Sequence, residues 1–84
     1  MKIKYIQVVT TISGKEDANK LACHLVEQRL AGCVQVYGPI NSFYHWQGKL
    51  ENDHEYQLQI KSRIDLYEIL IMRHVKTRAF FIVY

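Results

Sequence analysis

The sequence predicts an α+β fold, an antiparallel sheet of four strands with two helices packed on one face. Three observations predict it. Runs rich in Ile, Val, Thr and Tyr alternate with two stretches whose apolar residues recur at helical spacing. A Gln47-Gly48 turn joins the two longest β-runs as a hairpin. The resulting order is β-α-β, then β-α-β, with that hairpin between the halves. This is the ferredoxin-like βαββαβ arrangement.

Ile3 to Ile12 reads as the first strand, rich in β-branched side chains. Ser13, followed three residues later by Glu16, has the form of a capping box that opens the first helix. Ala18, Leu21, Ala22, Leu25, Val26, Arg29 and Leu30 then share a helical stripe. Arg29 is its one charged member. Gly32 is placed where a left-handed residue would end that helix.

The second strand starts at Cys33, is interrupted by Gly38-Pro39 and resumes from Ile40 to Trp46. Proline lacks an amide donor, so the interruption marks a bulge or an edge. Lys49 to Lys61 forms the third strand. Leu50, Asn52, His54, Tyr56, Leu58 and Ile60 lie on one of its faces, and Glu55 and Lys61 on the polar one. Asp65 is the expected N-cap of a second helix carrying Leu66, Ile69, Leu70 and Arg73. Ala79 to Tyr84 reads as the last strand.

The chain has 84 residues, which suits one domain over 1–84. Its formal charge is only +3, and the densest basic cluster, Lys61, Arg63, Arg73, Lys76 and Arg78, is too thin for a nucleic-acid surface. No stretch approaches the roughly 18 apolar residues of a spanning helix, so neither nucleic acid nor membrane is an expected partner. With no secretory pattern, Cys23 and Cys33 are expected as thiols and the protein as cytoplasmic.

No Ser-His-Asp set, paired carboxylates or nucleophile with a base can be assembled, so no enzyme is expected. Cys23 is expected to be partly buried, His24 and His45 to lie on the surface, and His54 to be a satisfied sheet histidine. Tyr44 and Trp46 share one face of the hairpin. A two-stranded ribbon cannot bury two large aromatics by itself, which points to oligomerisation. Glu55 and Lys61 stand roughly 20 Å apart along a straight strand and do not pair with each other. Each is either a solvated strand residue or part of a contact or pocket between subunits.

Three segments resemble the CutA family. They are Leu30-Ala31-Gly32-Cys33-Val34, then Gly38-Pro39 followed by Ser42-x-Tyr44-x-Trp46-x-Gly48-Lys49-Leu50, and Glu55 with Lys61 six residues on. The resemblance runs over roughly residues 3 to 74. It implies a fold close to the PII-type signalling proteins and a homotrimer whose hairpins extend neighbouring sheets. It also implies a role in tolerance to copper and other divalent cations, and no catalysis.

His74 occupies the position of the family's histidine after the second helix, which makes it the candidate metal ligand. A helix C-terminus favours histidine there even without metal. Cys33, a buried structural cysteine by its place in the strand, becomes a pocket residue near a subunit boundary under the resemblance. The chain departs from the family in three places. Val75-Lys76-Thr77-Arg78 stands where Pro-Tyr-Glu usually follows the histidine, and Thr10 and Thr11 stand where some members carry a cysteine. The family's C-terminal segment is expected to be absent. Two alternatives to the metal reading are a PII-like module holding a small anionic ligand between subunits and a trimeric scaffold. An anion site would depend on Lys61 and weaken with salt.

Overall fold

Strict alternation of side chains builds the sheet. The structure, a computed structural model, describes residues 4–74 and 80–83, with side chains over 4–72. Strand β1 is Tyr5–Ile12, β2 is Cys33–Trp46, β3 is Lys49–Arg63 and β4 is Phe80–Val83. They form a four-stranded sheet in the order β2-β3-β1-β4, antiparallel at every pairing. With helix α1, Lys15–Glu27, between β1 and β2 and a helical segment between β3 and β4, this is the ferredoxin-like topology.

The register puts the core on one face. Ile6 lies opposite Ser62, Val8 opposite Ile60 and Thr10 opposite Leu58, and all six are buried. Val34 and Val36 extend this layer from β2. Ala18 and Leu25 of α1 and Leu70 of the second helical segment close over it in the same cluster. Each fully buried Leu or Ile contributes about 1.5–3 kcal/mol relative to exposure. The opposite face presents Tyr5, Gln35, Tyr37 and Lys61 to the exterior.

Both ends of α1 differ from the sequence expectation. Gly14, not Ser13, is the N-cap, and no side chain caps the helix, so the Ser13–Glu16 box does not form. At the other end the left-handed residue is Arg29, at φ 59, not Gly32. The Arg29 amide donates to the Val26 carbonyl at 3.0 Å and the Leu30 amide to that of Leu25 at 2.9 Å. That pair of bonds is the Schellman motif. It holds an arginine where glycine would avoid about 1–2 kcal/mol of steric cost. Gly32 instead starts the next element, its amide donating to the Lys61 carbonyl at 2.9 Å. Beside it the buried Ser62 hydroxyl donates to the Leu30 carbonyl at 2.6 Å. These two bonds tie the α1–β2 connection to β3.

The register of β2 on β3 shifts between Tyr37 and Ile40, at the expected Gly38-Pro39 interruption, whose peptide bond is cis. Beyond it, Ile40–Trp46 pairs with Lys49–Glu55 as a two-stranded ribbon. Gln47 and Gly48 turn it with φ 51 and 76, the positive pair of a type I′ turn. The overall extents of 48 × 25 × 20 Å give the protomer a long axis.

The second helix is not one regular helix capped by Asp65. It is a 3-10 turn over Ile64–Leu66, a short helix α2 over Tyr67–Ile69 and a π-turn over Leu70–His74. Asp65 lies inside the 3-10 turn, where its carboxylate takes both arms of the Arg63 guanidinium at 3.0 and 3.1 Å. That fork occupies the carboxylate that would otherwise cap the helix. Ala79 and Tyr84, expected as the ends of the last strand, lie outside the described residues.

Candidate functional site

A cleft opens where the end of α1 meets the paired ends of β1 and β3. The Schellman turn brings Arg29 and Ala31 to one side. The β2–β3 register sets Cys33 opposite Lys61 on another. Ile6, Val26 and Leu66 supply apolar wall, and Tyr5, Glu27 and Arg63 complete the lining. The cleft encloses about 1160 Å³.

Its electrostatics are basic. Arg29, Lys61 and Arg63 share its lining with Glu27, and Arg63 is already engaged by Asp65 at 3.0 Å. Neither Arg29 nor Lys61 meets a carboxylate among the described residues. The arrangement can attract and orient an anion. It repels a free cation.

The sequence-predicted residues fall into three places. Cys33 and Lys61 come together at the cleft. Cys33 is exposed rather than buried, because Val34 takes the core side of the strand. Tyr44 and Trp46 lie on the ribbon. The Tyr44 hydroxyl donates to the Asp53 carboxylate, whereas Trp46 remains 62 % exposed. Glu55 is the third case: although on the polar face of β3, it is only 7 % exposed. It pairs with Ile40 directly after the bulge. The apolar side of the ribbon is also more open than its pattern suggests. Leu50 is 68 % exposed and Phe43 67 %. Asn52 and His54 are exposed with them, so His54 is a surface residue rather than a packed sheet histidine.

Among the described residues, metal-ligating side chains do not converge. No group of three His, Cys, Asp or Glu residues is placed to hold an ion among the described residues. Cys23 is exposed rather than partly buried. Its thiol donates to the Glu27 carboxylate at 3.1 Å, and that hydrogen bond, with the carboxylate's charge, raises its pKa and keeps it protonated. The described residues therefore do not fit a resident metal centre. His74 ends the π-turn, and its side chain lies outside the described residues.

Arg29, Tyr5, Val26 and Leu66 join the site without a motif to mark them in the sequence. The one sequence signal was Arg29 itself, a charge on an otherwise apolar helical stripe.

The model of the CutA1 divalent ion tolerance protein family matches residues 6–81. The chain is 42 % identical over 65 residues to the chloroplastic protein CutA of Arabidopsis thaliana, covering 77 % of this chain and 36 % of that protein. It is 36 % identical over 66 residues to the divalent-cation tolerance protein CutA of Yersinia pestis, covering 79 % of this chain and 56 % of that one. The chain thus spans between about a third and just over half of the curated relatives it matches. Among solved structures, CutA from Xylella fastidiosa superposes with a TM-score of 0.82 at 30 % identity, over 95 % of this chain and 81 % of that chain. CutA1 from Oryza sativa superposes with a TM-score of 0.79 at 32 % identity, over 96 % of this chain and 78 % of that chain.

Proposed function

The chain belongs to the CutA1 divalent ion tolerance family, and on that premise we propose that it acts in divalent-cation tolerance as a homotrimer that catalyses no reaction. The observation carrying this reading is the family match across residues 6–81, nearly the whole chain. Assembly has a physical support of its own. Phe43 and Leu50 are 67 and 68 % exposed on one face of a ribbon that has no second layer of its own to bury them, and Trp46 is 62 % exposed on the other face. Large apolar side chains left open on both faces of a ribbon mark it as an interaction element. The proposal includes the cytoplasm as its compartment, where Cys23 and Cys33 stay thiols.

Copper or another divalent cation is the proposed effector, and His74 the proposed direct contact. Because the described side chains do not converge, a bound ion would need ligands from another subunit or from solvent. Copper(II) titration by calorimetry at neutral pH tests this. The expected result is saturable binding that His74→Ala weakens more than His24→Ala, and that fades below about pH 6 as imidazole protonates. Equal effects of the two substitutions would remove His74. Absence of saturable binding would leave the tolerance role without direct metal capture.

Assembly is tested separately. Trp46→Ala removes one large anchor, worth about 2 kcal/mol where such a residue is central to an interface. Light scattering across a dilution series should then show dissociation at concentrations where the parent protein stays associated. An unchanged molar mass in dilute solution would remove Trp46 from the interface.

A further inference from the structure

We infer that the cleft lined by the end of α1 and the adjoining ends of β1, β2 and β3 binds a small organic oxyanion, a phosphate or paired carboxylates on an apolar body, held by Arg29 and Lys61. Four observations converge. Arg29 and Lys61 both line the cleft, and neither is neutralised by a carboxylate among the described residues. Arg29 joins that lining from a left-handed backbone, φ 59, a conformation that glycine adopts at far lower cost. A strained non-glycine residue at a cleft is a pointer to function. Ile6, Val26 and Leu66 give the same cleft apolar walls. Its volume of about 1160 Å³ admits a small organic molecule rather than a bare ion alone.

The recognition chemistry follows from the two cations. A guanidinium presents parallel N–H donors that match two oxygens of a phosphate or carboxylate. Lys61 adds a point charge from β3, and the strand register fixes it opposite Cys33. Glu27 in the same lining offsets part of the positive field, so a ligand with two negative charges is favoured over a larger polyanion. This inference concerns a site that attracts anions. It is independent of the cation reading above and stands or falls separately.

The test is a calorimetric titration of the full chain with phenyl phosphate at low ionic strength. The expected result is saturable binding, one ligand per chain, that weakens as salt is added. Arg29→Gly should weaken binding about tenfold or more while leaving the melting temperature equal or higher, since glycine suits the left-handed position. Lys61→Ala should weaken it similarly, and Lys49→Ala, at the distant turn, should leave it unchanged. Benzene-1,3-dicarboxylate in a parallel titration separates the two oxyanion classes, the tighter one being assigned. Inorganic phosphate should bind more weakly than phenyl phosphate, and equal binding would overturn the apolar part of the assignment. Absence of saturation with both aromatic probes, or unaltered binding by the folded Arg29→Gly chain, would overturn the site.

Discussion

Gly38→Ala is expected to cost about 2–5 kcal/mol of stability, the larger of two glycine effects in this chain. Gly38 has φ 153, outside the range that side chains favour, and a methyl there would sit 2.5 Å from Cδ2 of Tyr56. It would also lie 3.1 Å from the Glu55 carbonyl, which is backbone and cannot swing aside. Tyr56 is itself packed against the core, so its ring cannot retreat freely. Gly48 provides the comparison. It too has positive φ, 76, but a methyl there meets nothing within 4 Å. Gly48→Ala should therefore cost only the backbone conformation, about 1–2 kcal/mol. Thermal unfolding followed by circular dichroism at matched concentration checks both. For a domain of this size each kcal/mol moves the midpoint by about 4–8 °C. If the two variants melt together, the Tyr56 contact is not what makes Gly38 necessary.

The same glycine shows how much was legible beforehand. Gly38-Pro39 announced a break in β2 through proline's missing donor, and Gln47-Gly48 announced the turn. The register shift and the positive φ pair fall at those residues. Such local chemistry is written in adjacent residues. The ends of α1 were not readable in this way. Ser13 with Glu16 and a glycine at 32 carry stronger cap propensities than Gly14 and Arg29, and at the C-terminal end Ser62 and Lys61 decide the outcome. Their bonds to the Leu30 carbonyl and the Gly32 amide, at 2.6 and 2.9 Å, fix the connection from across the chain. Tertiary bonds of this kind override a weak local preference. The cleft was hidden for a related reason. Arg29 and Lys61 are neighbours only through the β2–β3 register, and no spacing in the sequence encodes that. Cys33 and Lys61 each stand out in the sequence alone, and only the register sets them opposite one another.

Leu58→Ala is expected to destabilise the protein by about 2–5 kcal/mol, and Leu50→Ala by less than 1. The two leucines occupy the same face of one strand, eight residues apart, and alternation alone does not distinguish them. Leu58 is 0 % exposed, opposite Thr10 on β1 and Val36 on β2, under the helical layer. Removing its side chain leaves a cavity that the flanking strands cannot close. Leu50 is 68 % exposed opposite His45, where truncation opens no cavity. Its side chain matters, on the assembly reading, only when another surface covers it. The measurement is paired: chemical unfolding for stability, and light scattering on dilution for association. Leu58→Ala should lower the unfolding midpoint strongly. Leu50→Ala should leave the protomer's secondary structure intact and shift association toward higher concentration. If Leu50→Ala changes neither stability nor association, the exposed face of the ribbon is not a contact surface. The apolar pattern that built β3 would then serve folding only at the Tyr56-to-Ile60 end, with the ribbon's tip left to water.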